Sequence, residues 1–190
     1  MLLDSLGVCT AVVAASEIGD KTQLLALLLA ARFRSRTAIV TGILFATILN
    51  HAMAGIFGTF VSQWLTPEVL RWALSIGFIL MAGWMLIPDK ADDNATECRA
   101  KLGAFGTTLL LFFLAEMGDK TQLATVALAA HFSDVLSVVA GTTLGMLIAD
   151  VPAVYAGEWI VRHVPMKPMR IAACMIFIVL AVVAFLFPVS

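Results

Sequence analysis

An all-α, polytopic membrane protein built from two related halves is the fold class this sequence predicts, and three observations predict it. The 190 residues are 61% hydrophobic and 13% charged. A soluble domain carries roughly 25% charged residues, so no soluble surface can be built from this composition. The apolar residues fall into six segments, each long enough for the ~20-residue helix a bilayer requires. Finally, the segment Glu17-Ile18-Gly19-Asp20-Lys21-Thr22-Gln23-Leu24 recurs as Glu116-Met117-Gly118-Asp119-Lys120-Thr121-Gln122-Leu123, with one exchange.

Each segment is bounded by residues that a hydrocarbon core rejects. The first candidate span, 2–31, surrounds the first octapeptide and ends at the basic run Arg32-Phe33-Arg34-Ser35-Arg36. The second, 37–64, carries Asn50 and His51 and stops before Thr66-Pro67-Glu68. The third, 69–87, ends at Pro88, which opens a hydrophilic stretch, 88–101. The fourth, 102–130, surrounds the second octapeptide and stops at 131–134. The fifth, 135–161, carries Asp150 and Pro152, and the sixth, 169–187, follows the break at 162–168.

The halves are repeats. A shift of 99 residues superimposes the octapeptides, sets Ala30-Ala31-Arg32-Phe33 on Ala129-Ala130-His131-Phe132, and sets Gly42 on Gly141. Residues 1–87 are expected to form the first repeat, 102–190 the second, and 88–101 a cytoplasmic linker. Orientation follows from the basic residues. Arg32, Arg34, Arg36, Lys90, Arg99, Lys101, Arg162, Lys167 and Arg170 fall on one side, and only Arg71 on the other. The positive-inside rule then places both termini outside the cytoplasm of an inner-membrane protein. Trp64 and Trp72 belong near the outer interface, Trp84 and Trp159 near the inner one. Three spans per half make the repeats antiparallel, the inverted-repeat architecture of secondary transporters, with a site expected at the midplane.

Other features carry less. Cys9, Cys98 and Cys174 lack metal-ligand spacing and read as packing residues. The N-terminus lacks a basic n-region, and its apolar stretch contains Glu17 and Asp20, so a secretory signal is not expected. The nine methionines are dispersed and read as core filler. Lipid, a divalent metal and protons are the partners expected, without nucleic acid or a permanently bound cofactor; a homo-oligomer stays open.

The chemistry lies in the octapeptides. Glu17 and Asp20 are three residues apart, as are Glu116 and Asp119, so a helix would put each pair on one face. Each Glu lies about 14 residues into its span, roughly 20 Å at the helical rise and near mid-bilayer. Four converging carboxylates cannot all stay ionised in low dielectric without cations. They must hold metal, protons or both. Oxygen donors suit Mn²⁺, Ca²⁺ or Mg²⁺, and the absence of Cys and His from the motif argues against zinc or copper. Gly19 and Gly118 weaken the helix beside the acids, so it is expected to break there. Asp20 with Gln23, and Asp119 with Gln122, then resemble an N-cap and its N3 partner. Each Asp is either a cap or a ligand, and Gln23 and Gln122 either ligands or interhelical hydrogen-bond formers. Lys21 and Lys120 follow each Glu by four residues and read as charge-compensating partners, or as placeholders for the metal in an empty site. Thr22 and Thr121 read as packing or hydrogen-bonding residues.

The repeat register also sets His51 on Asp150, two ionisable residues deep within spans and candidates for proton coupling. Asp150 is a proton carrier or an extra ligand; His51 is a proton relay or a hydrogen-bonded core histidine. Pro152 suggests a local kink. Gly141 and Gly145 form a GxxxG, with Gly42 and Ala46 as the equivalent pair, and allow close helix contact. Glu158 reads as solvated near the cytoplasmic interface.

The doubled E-x-G-D-K-[ST] motif resembles the signature of a family of small six-span cation/proton exchangers. Its bacterial members include MneA-type manganese exporters, and its eukaryotic members act on Golgi or chloroplast Ca²⁺ and Mn²⁺. The resemblance covers both halves. It implies that Glu17, Asp20, Glu116 and Asp119 bind the cation, and it points to a Mn²⁺/H⁺ antiporter extruding manganese from the cytoplasm by alternating access. A Ca²⁺/H⁺ antiporter and a small-solute exporter, for example of amino acids, are the alternatives. An intramembrane enzyme lacks a nucleophile–base constellation, and a channel fits the inverted repeats less well.

Overall fold

The computed structural model describes residues 2–87, 102–156 and 166–186, without the side chains of 2–4, 166, 167, 169 and 170. These residues form eight helices and, among them, no strand. They are α1 (Leu2–Glu17), α2 (Lys21–Arg32), α3 (Arg36–Trp64), α4 (Pro67–Met85), α5 (Gly103–Glu116), α6 (Lys120–Phe132), α7 (Val135–Ala156) and α8 (Met166–Leu186). The linker 88–101 with Cys98, and Glu158, Trp159 and Arg162, lie outside the described residues.

The all-α class holds, and the expected breaks at the glycines are present. The stretch expected as span one forms two helices, α1 and α2, and the stretch expected as span four forms α5 and α6. Gly19 and Gly118 adopt φ of +86° and +78°, left-handed values open mainly to glycine. At Gly118 an added Cβ would meet nothing within 4 Å, so backbone conformation alone calls for glycine there. Elsewhere the ends follow local chemistry. Thr66 caps α4 by accepting from the Val69 N–H, with Pro67 in the first turn. Asp134 accepts from the Ser137 N–H before α7, and this bonding to Ser137 holds its carboxyl below the usual range. Helix α7 runs on through Pro152.

Among the described residues, three helices are long and apolar enough to cross a membrane: α3, α4 and α7. The packing joins the halves. Helix α1 packs on α7, α3 packs on α5 and α6, and α4 packs on α8. Small residues set the first two contacts. A Cβ at Gly141 would lie 2.6 Å from the Leu6 carbonyl and 2.9 Å from Cys9 Cβ; one at Gly42 would lie 3.0 Å from the Phe105 carbonyl and 2.7 Å from Thr108 Cβ. These partners are related by the same 99-residue shift. Further along, Gly145 abuts Thr10 and Ala14, and Gln23 bonds the Ala149 carbonyl, so α7 runs alongside α1 and α2 in one direction. Asn50 bonds Phe113 and Gln122 in the same way, so α3 runs alongside α5 and α6.

The apolar core is divided. One cluster joins α1, α4, α6 and α8 through residues such as Val12, Phe78, Leu128 and Phe177. The other joins α2, α3, α5 and α7 through Leu29, Ile43, Phe112 and Ala153. The octapeptides bring the buried carboxylates to the helix breaks.

Candidate metal centre at the paired helix breaks

Both octapeptides fold the same way. Glu17 and Glu116 end α1 and α5; the Asp20 N–H donates to the Glu17 carbonyl, and the Asp119 N–H to the Glu116 carbonyl, at 3.0 and 3.1 Å. Asp20 and Asp119 then occupy the N-cap positions of α2 and α6 in extended conformation, with φ/ψ of −86°/173° and −84°/171°. Neither aspartate side chain makes a capping hydrogen bond. The caps suggested by sequence are present in backbone only, and the carboxylates face other partners.

Those partners lie in the opposite repeat. Lys21 Nζ donates to Asp119 Oδ1 at 2.8 Å, and Lys120 Nζ to Asp20 Oδ1 at 3.4 Å. The spacing had pointed to the glutamate four residues earlier as the partner of Lys21. The left-handed turn at Gly19 takes Lys21 out of helical register with Glu17, and Asp119 takes that place. The glutamates use the threonines instead: Thr22 Oγ1 donates to Glu17 Oε2 at 2.6 Å, and Thr121 Oγ1 to Glu116 Oε2 at 2.7 Å.

The glutamines brace the breaks. Gln23 Oε1 accepts from the Gly19 N–H, and Gln122 Oε1 from the Gly118 N–H, at 3.1 and 2.6 Å. Their amide nitrogens reach the long helices, Gln23 to the Ala149 carbonyl and Gln122 to Asn50 Oδ1. Positions 50 and 149 are repeat equivalents, so the braces match too.

The carboxylates of the centre are buried. Glu17 and Glu116 are 1% and 0% exposed. Ligand oxygens of Glu17, Asp20 and Asp119 lie within 4.8 Å of one another, close enough for one divalent ion to bridge them at the roughly 2.0–2.6 Å distances of oxygen ligands. Glu116 is not in that group. Among the described residues, Glu17 Oε1, Glu116 Oε1 and Asp119 Oδ2 are buried without a hydrogen-bond partner. The two octapeptides hold four carboxylates and two ammonium groups, so two negative charges stay uncompensated when all are ionised. That balance, and the unpartnered oxygens, fit a divalent cation. Asp150 and His51 are both fully buried, and neither has a hydrogen-bond partner among the described residues. Asp150 lies within electrostatic range of Asp20. His51 is not brought into the carboxylate group.

Sequence reasoning did not foresee the lysine–aspartate exchange, the threonine–glutamate bonds or the part played by Asn50. The threonines carried a signal, since each follows its Glu by five residues in both copies. The cross-repeat pairs carried none, because they depend on how two distant segments face each other.

A helical membrane protein that sets buried carboxylates against lysines at two matched helix breaks is of the ion-transporter class. The chain belongs to the divalent cation/proton antiporter family GDT1, whose family model matches residues 5–93 and 104–188. It is 44% identical over 181 residues to a Vibrio cholerae protein described as "Putative manganese exporter", covering 95% of this chain and 90% of that one. It is 31% identical to a GDT1-like protein of Synechocystis sp., covering 89% and 90%. It is 29% identical to the chloroplastic PAM71-homolog of Arabidopsis thaliana, covering 90% of this chain and 56% of that one. No solved structure matches the chain.

Proposed function

We propose that this antiporter exports Mn²⁺ from the cytoplasm in exchange for protons, by alternating access at the paired helix breaks. The observation that carries the reading is the buried group formed by Glu17 and Asp20 of one repeat with Asp119 of the other. Mn²⁺ entering from the cytoplasm binds these ionised carboxylates, and Glu116 is a further acid on the same transport path. As the metal binds, Lys21 and Lys120 give up their aspartates. Protonation from the other side displaces the metal and resets the carrier. Both ends of each glutamine amide are engaged in bracing, so Gln23 and Gln122 shape the site, and each Oε1 keeps one lone pair for the metal. Asp150 sits beside the acids as a proton-coupling group, and His51 is its counterpart in the other repeat.

The same reading makes α1–α2 and α5–α6 two broken spans, giving six in all, arranged as inverted repeats 1–87 and 102–190 around a cytoplasmic linker, 88–101. Its support is the repeat-related packing of Gly42 and Gly141 and the direction of travel. Helix α7 follows α1–α2, while α3 follows α5–α6. Since α3 returns from α2, the two broken spans run oppositely. The interval between the two matched segments of the family model, 94–103, overlaps the linker region. With the basic loops inside, the protein lies in the inner membrane with both termini extracytoplasmic.

The Vibrio cholerae relative's description favours manganese. The all-oxygen donor set suits Ca²⁺ equally, so a Ca²⁺/H⁺ antiporter is the second reading. Purified protein in vesicles loaded with a pH-sensitive dye decides between them. Mn²⁺ addition is expected to drive metal uptake and proton movement together, because metal displaces protons from carboxylates. Uptake without proton flux sinks antiport, and a response to Ca²⁺ alone sinks manganese.

A further inference from the structure

The two repeats differ in where the α4–α8 pair sits. Helix α8 packs on α1 and α4 packs on α6; the repeat-equivalent pairings, α4 on α5 and α8 on α2, are not formed to a comparable extent. The divided core shows the same bias, since α4 and α8 supply residues to one cluster and none to the other. The carboxylate centre is unequal in the same sense. Met85 of α4 and Ala173 of α8 line a cavity of about 10 Å³ together with Asp20 and Lys120, and the Lys120 side chain is 4% exposed. On the uncovered side the Lys21 side chain is 27% exposed. Ligand grouping is also one-sided: Glu17 joins Asp20 and Asp119, while Glu116 stands outside, with Oε1 buried and without a hydrogen-bond partner.

We infer that the protein has a second cation triad, Glu116 with Asp119 and Asp20, mutually exclusive with the first, which assembles when the α4–α8 pair moves from α1 and α6 onto α5 and α2. The inference rests on the antiporter reading. Exchanging the conformations of the two repeats sets the α4–α8 pair on the repeat-equivalent surfaces of α5 and α2, so the second packing uses equivalent positions, although side chains such as Leu74 and Ala173 differ between them. Two packings of this kind are what an alternating carrier requires. The cation passes from Glu17 to Glu116 while Asp20 and Asp119 serve both triads. In the proposed topology α1 and α6 are the extracytoplasmic halves of their spans. The conformation described here is then covered toward the outside, with Lys21 on the cytoplasmic side.

Paired cysteines test this in protein whose three native cysteines are replaced. Leu74 and Ala127 line one groove between α4 and α6, so L74C/A127C is expected to lock the present packing. The repeat equivalents are Ala173 and Leu28, so L28C/A173C is expected to lock the other. Each lock should stop transport, and reductant should restore it. Mn²⁺ binding in each locked form gives the second readout. E17Q is expected to weaken binding by on the order of tenfold or more in the first lock and little in the second, with E116Q showing the reverse. Failure of L28C/A173C to cross-link while L74C/A127C does so, or equal dependence on both glutamates in both locks, overturns the inference. Absence of Mn²⁺ binding to either lock with all acids intact overturns the manganese reading instead.

Discussion

Lys21 donates to Asp119 across 2.8 Å, from the start of α2 in one repeat to the N-cap of α6 in the other. The link ties the two helix breaks into one electrostatic unit. It also places an ammonium group against a carboxylate that the proposed substrate needs.

If the lysine holds the place of the metal, removing it changes binding in a particular direction. Lys21→Met is expected to tighten Mn²⁺ binding several-fold and to slow turnover, because Asp119 loses its competing partner. Titration of purified protein together with vesicle flux measures both. Weaker binding in Lys21→Met would show that the lysine orients the carboxylates for the metal instead of competing with it.

The glutamates are expected to be individually indispensable. Glu17→Gln and Glu116→Gln keep shape and hydrogen-bonding capacity but remove charge. Each should lower Mn²⁺ efflux by at least about tenfold at equal protein abundance. Survival of a manganese-sensitive strain, with abundance measured alongside, is the readout. Full protection by either variant removes that glutamate from the transport step.

Repeat equivalence makes a prediction about packing as well. Gly42→Ala and Gly141→Ala each force a Cβ against a backbone carbonyl and a side chain of the opposite repeat. Both should destabilise, by about 1–3 kcal/mol as overpacking does. Gly77→Ala meets nothing within 4 Å and should be neutral, or stabilising by up to about 1 kcal/mol in a helix interior. Thermal unfolding in detergent compares the three. A marked difference between the first two would break the equivalence.

His51 and Asp150 occupy matching positions with unlike chemistry, so their variants should differ. Asp150→Asn is expected to reduce the proton movement that accompanies Mn²⁺ flux, since this carboxylate lies within electrostatic range of Asp20. His51→Asn should leave the ratio of protons to metal unchanged, because burial acts on His51 and no carboxylate does. Dye and metal signals recorded on the same vesicles give that ratio, and matching changes in both variants would contradict the assignment.

Much of this was legible in the sequence, for identifiable reasons. The breaks were readable because a glycine between two acids in an apolar segment is costly both as helix and as lipid-facing charge. The contact between long and broken helices was foreshadowed by Gly42 and Gly141. The partner of Lys21 was not legible. Spacing along one segment suggests helical neighbours, and the turn at Gly19 removes that neighbour relationship. The one-sided seat of α4 and α8 was hidden for a different reason: apolar side chains on a lipid-facing helix do not encode which of two equivalent surfaces they meet.

The cross-repeat pairing sets a condition on how the chain is made. Lys21 and its aspartate are 98 residues apart, and synthesis delivers the first helix break long before the second exists. In the proposed six-span topology Asp20 and Lys21 therefore enter the bilayer without their eventual counter-charges, each at roughly 2.5–3.5 kcal/mol on insertion scales. Helix α1 must also wait for α7 to bury the surface that Gly141 and Gly145 will cover. The first half is thus a nascent intermediate with no closed interior of its own.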